Sequence, residues 1–390
     1  MKIVEVISQI SAFLIWPLLR RMAPRAANRL FIIGAQSAEQ RSDIEKRAQF
    51  YAPGAKPEFR DKITPSLLFS LSPVLLASPP RGHQRHLTRI LKGVRRCLCP
   101  VASVFNIDST TYASDGWDWC ALTLYRATLC GRSYDAGAAQ RAFREAVIAA
   151  KHDGHALCYV FGTGTSLEKA SERGWGDGYR IVCNTIVRDD QLWHHITPHF
   201  IVAGDAIYHF GHTTFAAAFR QDLTARMRES DATFLYPEMF REIVRIHLPQ
   251  DIQARCIAIP TGNRQTIHDD LTREFSLPGF GNVLPLLLLP VGCTMARNVA
   301  LWGFDGRAPS DKLFWSNSSK HSYPEHFHTL RAAHPAFFDH HVPKEDPEKY
   351  VRLVHGDALE DALQIAEKAG WTFRMLHHSW TGTLAKRFRP

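Results

Sequence analysis

The spacing of apolar and polar positions changes partway along this chain. Between residues 31 and 110, short apolar runs are interrupted by Pro53, Pro57, Pro65, Pro73, Pro79, Pro80 and Pro100. That pattern predicts short helices and irregular chain rather than a regular sheet, because proline removes a ladder donor. From Trp117 to Ala150 the pattern becomes helical and ends in an alanine-rich stretch, 138–150, free of Pro and Gly. Beyond about residue 155, strands and helices alternate. Strands are expected at 155–161, 179–187, 199–203, 233–236, 254–259, 299–302 and 371–376. Helices are expected at 213–229, 238–247, 282–291 and 358–369. Such alternation predicts an α/β fold with a doubly wound, mainly parallel sheet, preceded by a mostly helical N-terminal region. Ligands of such sheets bind outside the carboxyl ends of the strands, where the loop from Gly162, Asn184, Asp205 and Asp305 all fall.

The first thirty residues form a separate case. Ile3, Val6, Ile7, Ile10, Phe13, Leu14 and Pro17 recur at helical spacing, followed by Arg20, Arg21, Arg25 and Arg29. Charge after the apolar stretch is the wrong order for a cleaved signal peptide. Two readings fit: a helix packed on its own domain, or an amphipathic interfacial helix whose arginines meet lipid phosphates. No run of 18 apolar residues occurs, so no membrane span is expected. The expected organisation is thus residues 1–30 as an amphipathic helix, 31–150 as a helical or irregular region, and 151–390 as a Rossmann-like domain.

Composition narrows the field modestly. Hydrophobic residues at 45% and charged residues at 22% exclude a mostly disordered chain. Lys+Arg 47 against Asp+Glu 38 gives +9, which suits anionic ligands or an anionic surface without implying nucleic acid. The eight cysteines form no C-x-x-C pair and match no zinc spacing; several lie within apolar runs, as small buried hydrophobes do. A reducing, cytoplasmic setting without structural disulfides is expected.

The loop Gly162-Thr163-Gly164-Thr165-Ser166 directly follows an expected strand. Its glycines would let backbone N–H groups approach a phosphate. Leu167 replaces the third glycine of a dinucleotide fingerprint, and no G-K-[ST] follows, which disfavours dehydrogenases and P-loop kinases.

Four motifs in order then carry a resemblance. The segment Tyr159-Val160-Phe161-Gly162-Thr163-Gly164-Thr165-Ser166-Leu167 resembles the first strand and G-N-G-P-S-L loop of the bacterial sialyltransferases of glycosyltransferase family 42. Val182-Cys183-Asn184 resembles that family's C-N strand end. Phe280-Gly281-Asn282, with the apolar helix and Leu301-Trp302-Gly303-Phe304-Asp305, resembles its S-G…G-[IV]-D stretch. Val354-His355 before helix 358–369 lies where the family places its catalytic histidine. The match covers roughly residues 155–385. The resemblance implies a GT-A-like fold and metal-independent transfer from a CMP-activated sugar to a glycan or glycolipid, with no further cofactor. Gly162, Thr163, Gly164, Thr165, Ser166, Asn184, Gly281 and Asn282 would line the nucleotide site, and His355 would be the base. Thr163 and Phe280 depart from the family's Asn and Ser, and Gly306-Arg307 replaces its tyrosine region. The family's donor is a CMP-linked sialic acid; these departures point to a different donor, such as another CMP-linked nonulosonate or octulosonate. The implied location is cytoplasmic, at the inner face of the membrane.

The residues themselves leave alternatives open. His321 is a second candidate base, and Asp305 a strand-end carboxylate in the catalytic group. His334 is expected to be a turn residue packing an aromatic pair. Asp205 would bind a sugar hydroxyl or cap a helix; Arg307 and Lys312 would meet phosphate. The pair Asp189-Asp190 is expected in a solvated turn, and no metal template is complete. Other activity classes are a pyrophosphokinase of the 6-hydroxymethylpterin diphosphokinase-like group, which would use a similar glycine loop with ATP and Mg2+, and a non-catalytic polysaccharide-assembly protein.

Overall fold

The computed structural model describes residues 23–79, 82–98, 102–308, 318, 320–341 and 356–389. The chain forms two compact units, and each is an α/β structure on an all-parallel sheet, compatible with a Rossmann-like fold. The first holds the described residues up to Tyr134 together with Arg331–His341; the second holds Asp135–Leu330 and the described residues from 356 onward.

The first unit corrects the expectation of an irregular, mostly helical region. Strands β1 (Arg29–Ile33), β2 (Lys56–Arg60), β3 (Val74–Leu76) and β4 (Val104–Asn106) pair in the order β2-β1-β3-β4. The prolines do not prevent this. Pro57 lies in the edge strand β2, and Pro73 stands just before β3, where its carbonyl accepts from the Phe31 N–H at 3.0 Å. Helices Ala38–Tyr51, His83–Leu98 and Asp115–Leu129 accompany the sheet. Of the expected helix over residues 1–30, the described part is Ala23–Ala27, after which Arg29 opens β1 and pairs with Glu58 at 2.6 Å. Residues 1–22 lie outside the described residues. His334 departs from its expected turn role as well: it is buried and bonded to Asp115 at 2.8 Å, and Asp115 in turn accepts from Arg47 at 3.1 Å.

The boundary between the units falls at residue 134, not 150. Helix Ala136–Ala150 buries Phe143 and Val147 in the same core as Cys158 and Val160, so it belongs with the second sheet. That sheet contains β5 (Leu157–Phe161), β6 (Tyr179–Cys183), β7 (Phe200–Val202), β8 (Thr233–Pro237), β9 (Cys256–Ile259), β10 (Asn298–Trp302) and β11 (Thr372–Met375). Its order is β11-β10-β5-β6-β7-β8-β9. The chain therefore starts in the interior, winds outward to β9, and returns to the other side of β5. Strand order reverses between β5 and β10, the position at which sheets of this kind commonly form a ligand crevice.

Nearly every residue of these strands is buried, as expected when both faces are covered. The apolar helix expected at 282–291 spans 284–295. Its first turn, Leu284–Leu288, is of the wide π type, and Leu289–Met295 continues as a regular helix. The wide turn relieves the clash that Pro290 would otherwise make with a carbonyl one turn earlier. Cys158, Cys183 and Cys293 are free and buried in this core. Among the described residues, no helix is long and apolar enough to cross a membrane.

Candidate functional site

The crossing at the carboxyl ends of β5 and β10 requires glycine. Gly162 N–H donates to the Trp302 carbonyl, and Gly164 N–H to the Gly303 carbonyl, each at 2.8 Å. A Cβ on Gly162 would lie 2.6 Å from the Gly303 oxygen, and Gly303 itself sits at φ +81°. The two turns therefore touch backbone to backbone. A Cβ on Gly164 would overlap the Asp305 carboxylate.

That carboxylate is bonded into the loop. Asp305 accepts from the Ser166 N–H at 3.1 Å and from the Ser166 hydroxyl at 2.9 Å. His377, at the end of β11, completes the knot. Its Nε2 accepts from the Gly303 N–H at 3.0 Å, so the ring proton resides on Nδ1, which donates to the His378 carbonyl at 2.7 Å. Burial holds His377 below its ordinary pKa, opposed by the Asp305 charge, which keeps the ring neutral. Ser166 Oγ also lies 3.0 Å from Nε2, but that lone pair already faces an amide. The trio of Ser166, His377 and Asp305 therefore fastens the loop and does not form a nucleophile–base pair.

This geometry corrects the expected phosphate cradle. The amides of Gly162, Gly164, Ser166 and Leu167 all donate within the protein, and Asp305 places a negative charge against the loop. Thr165 opens a short helix, Thr165–Glu172.

Groups without partners occur one strand further on. The register of β5 and β6 pairs Phe161 with Val182, so the Gly162 loop and Asn184 leave the sheet side by side. Asn184 adopts φ +53°, a left-handed conformation that Asn tolerates better than most residues. Its buried Oδ1 has no hydrogen-bond partner among the described residues. The segment from Ser318 covers this rim. Ser318 N–H donates to the Thr163 carbonyl at 3.2 Å, and its hydroxyl to Glu168 at 2.7 Å. Arg188 bonds the Ser322 carbonyl and Glu325, and lies over the Tyr323 ring. His321 is 1% exposed, and neither ring nitrogen has a hydrogen-bond partner. Asp189 stands 3.5 Å from its Nδ1. Burial lowers the His321 pKa, while Asp189 and Glu168 act in the opposite direction, so the ring is neutral at neutral pH.

Other expected residues play structural parts. Asp205 accepts from the Ile207 and Tyr208 N–H groups at 2.9 and 3.0 Å, which closes a turn at 206–209; it does not cap a helix, since the next one, Thr214–Arg228, is capped by Thr213. Asn282 caps the wide helix by accepting from Leu284 N–H at 2.8 Å, and Gly281 faces open space. Arg307 is half-buried beyond Asp305. Asp189-Asp190 is not a solvated turn: Asp189 caps helix Asp190–Ile196. Asp190, His194 and Glu229 come together at the surface in a spacing that would suit a cation, but Arg226 already bonds both carboxylates. His355 and Lys312 lie outside the described residues. Glu168, Ser318 and His377 went unassigned in the sequence; only the strand-end position of His377 signalled it.

Comparison with known protein families, with characterised proteins and with solved structures finds no match.

Proposed function

We propose that the rim formed by Asn184 and His321 binds the nucleotide part of an activated sugar, in a glycosyltransferase with a GT-A-like catalytic unit. The donor is a CMP-linked sialic acid or related nonulosonate or octulosonate, and the acceptor is a glycan or glycolipid hydroxyl at the inner face of the cytoplasmic membrane. One observation carries the reading: near the loops at the carboxyl ends of β5 and β6, the buried Oδ1 of Asn184 and the ring nitrogens of His321 have no hydrogen-bond partner among the described residues. Burying such groups costs about 1–3 kcal/mol each unless a ligand satisfies them.

The chemistry needs little from the protein. The acceptor oxygen forms a bond to the anomeric carbon, the bond from that carbon to the phosphate oxygen breaks, and CMP departs. A neutral His321 takes the acceptor proton. The Asn184 carboxamide accepts from a ribose hydroxyl or the cytosine amino group. With the Gly162, Gly164, Ser166 and Leu167 amides engaged, phosphate charge falls to Arg307. His321 is shielded by its own segment, so acceptor entry requires residues 320–323 to shift.

Thermal shifts with CMP, CDP, UDP, GDP and ATP, with and without Mg2+, test the reading. CMP should stabilise without metal, and Asn184→Gly, which keeps the backbone conformation, should weaken CMP about 10-fold or more. His321→Ala should bind CMP yet lose about 100-fold or more in transfer. Stabilisation by ATP with Mg2+ alone would instead favour a pyrophosphokinase. Wild-type turnover in His321→Ala would remove that residue from the mechanism, and His355→Ala is the parallel variant.

A further inference from the structure

Two consecutive residues after β6 face two consecutive residues of the segment that covers the rim. Arg188 bonds the Ser322 carbonyl and Glu325, and the next residue, Asp189, stands with Oδ2 3.5 Å from Nδ1 of His321. Asp189 is fixed from its own side. Its Oδ1 accepts from the Leu192 N–H at 2.8 Å, its carbonyl accepts from the Trp193 N–H at 2.9 Å, and its N–H donates to the Ile186 carbonyl at 3.2 Å. One carboxylate oxygen thus caps helix Asp190–Ile196, and the other faces the imidazole. The His321 backbone is held in turn by its N–H, which donates to the Ser318 carbonyl at 3.2 Å.

That placement decides where the neutral ring carries its proton. A proton on Nε2 would set the Nδ1 lone pair against a carboxylate, two acceptors with nothing between them. A proton on Nδ1 gives Asp189 a donor and leaves the Nε2 lone pair without a partner among the described residues. We propose that Asp189 is the positioning residue of His321: it selects the Nδ1–H tautomer, which leaves Nε2 as the base, and it pairs with the imidazolium that forms. The proposal rests on the nucleotide-sugar reading of this rim. In the transfer step the acceptor oxygen bonds the anomeric carbon, and the bond from that carbon to the phosphate oxygen breaks with its electron pair leaving on CMP. The hydroxyl proton passes to Nε2 and afterwards to water. A separation of 3.5 Å is longer than a hydrogen bond, and a positive ring draws the pair together. The shift of residues 320–323 that admits the acceptor need uncover only the Nε2 edge. The other charged groups near the ring are Glu168, Lys320 and Arg188, and Glu168 is already engaged by the Ser318 hydroxyl.

Long-range proton–nitrogen NMR of the full chain reads the tautomer without substrate, with His321→Gln identifying the resonance. The wild type should carry its ring proton on Nδ1. Asp189→Asn keeps the helix cap through its amide oxygen but turns an N–H group toward the ring, so the proton should move to Nε2. Asp189→Ser also caps, lacks the charge, and should lower the His321 pKa. Glu168→Gln removes a nearby charge while keeping an acceptor for Ser318; it should lower that pKa too, yet leave the tautomer unchanged. With CMP-sialic acid as the probe donor, kcat for CMP release should fall about 100-fold or more in Asp189→Asn, with KM unchanged. A wild-type proton on Nε2, an Asp189→Asn variant that keeps it on Nδ1, or one with wild-type turnover would each overturn the assignment. Absence of CMP release by the wild type would defeat the nucleotide-sugar reading instead, while the tautomer still decides the role of Asp189.

Discussion

Gly303→Ala is the most direct test of the crossing on which the candidate site is built. The glycine lies at φ +81°, where an L side chain costs about 1–2 kcal/mol. The new Cβ would also overlap the Gly162 carbonyl, and its neighbours there are backbone atoms that no rotamer change can move. Relief requires β5 and β10 to separate at their ends. That lengthens the bonds from Gly162 N–H to Trp302, from Gly164 N–H to Gly303 and from Gly303 N–H to His377, each worth about 1 kcal/mol. The sum is about 4–5 kcal/mol, a large part of the stability of an ordinary domain.

Hydrogen exchange reads this locally. Peptides covering 157–167 and 298–306 should exchange roughly 100-fold faster or more in Gly303→Ala, because about 1.4 kcal/mol corresponds to each factor of ten. Gly281→Ala is the control, since a Cβ there meets nothing within 4 Å. It should stay within about 0.5 kcal/mol of the wild type. A Gly303→Ala protein with unchanged protection in both peptides would mean the two turns are not in contact, and the rim would have to be rebuilt.

Two further outcomes follow from buried ionisable groups. Burial drives the His209 pKa down to about 3, so from pH 6.5 downward the unfolded chain takes up a proton that the folded one refuses. Stability contributed by neutral His209 should be full above pH 6.5 and fall by about 1.4 kcal/mol per pH unit toward pH 3; urea titrations should show this slope flattened in His209→Gln, and an unaltered slope would assign the acid sensitivity elsewhere. In the first unit, Asp115→Ala leaves Arg47 and His334 buried without their shared carboxylate, and should cost about 3–5 kcal/mol by denaturant unfolding. A loss below about 1 kcal/mol would show that those groups find other partners.

The second unit was far more legible in the sequence than the first, for a physical reason. Strands covered on both faces are written as unbroken apolar runs, such as Leu157–Phe161 and Thr233–Pro237, and strong periodic helices separate them. In the first unit the prolines in and beside the strands, Pro57 and Pro73, read as breakers. Only pairing partners distant in the chain reveal that Pro57 occupies an edge. The same limit governs the site. Strand-end placement of Gly162, Asn184 and Asp305 was visible, but the bond between Ser166 and Asp305 joins residues 139 apart and closes the amides that the glycine spacing had offered to a phosphate. Histidines show the problem most clearly. His321 and His334 are both buried, yet His334 bonds Asp115 from 219 residues away, while His321 has Asp189 nearby but no hydrogen bond to its ring. No local pattern separates them.

The knot at β5 and β10 also determines where a ligand can be recognised. An anion seated on the glycine turn would compete with Asp305, whose carboxylate already holds the Ser166 amide and hydroxyl. Removing that carboxylate from the loop would leave both donors seeking a partner, at a cost of about 1.5–3 kcal/mol per charged hydrogen bond. The turn therefore acts as a rigid base for the loops beside it. In the proposed function, recognition would shift one strand over, to Asn184, which ends β6, and to His321, in the segment anchored through Ser318 to Thr163 and Glu168. A site assembled from side chains in this way discriminates by the hydrogen-bonding groups of the nucleoside more than by phosphate charge. That follows from which hydrogen-bonding atoms are left without partners, the Asn184 Oδ1 acceptor and the His321 ring nitrogens, and it makes the neutral imidazole of His321 the group through which binding and proton transfer would be joined.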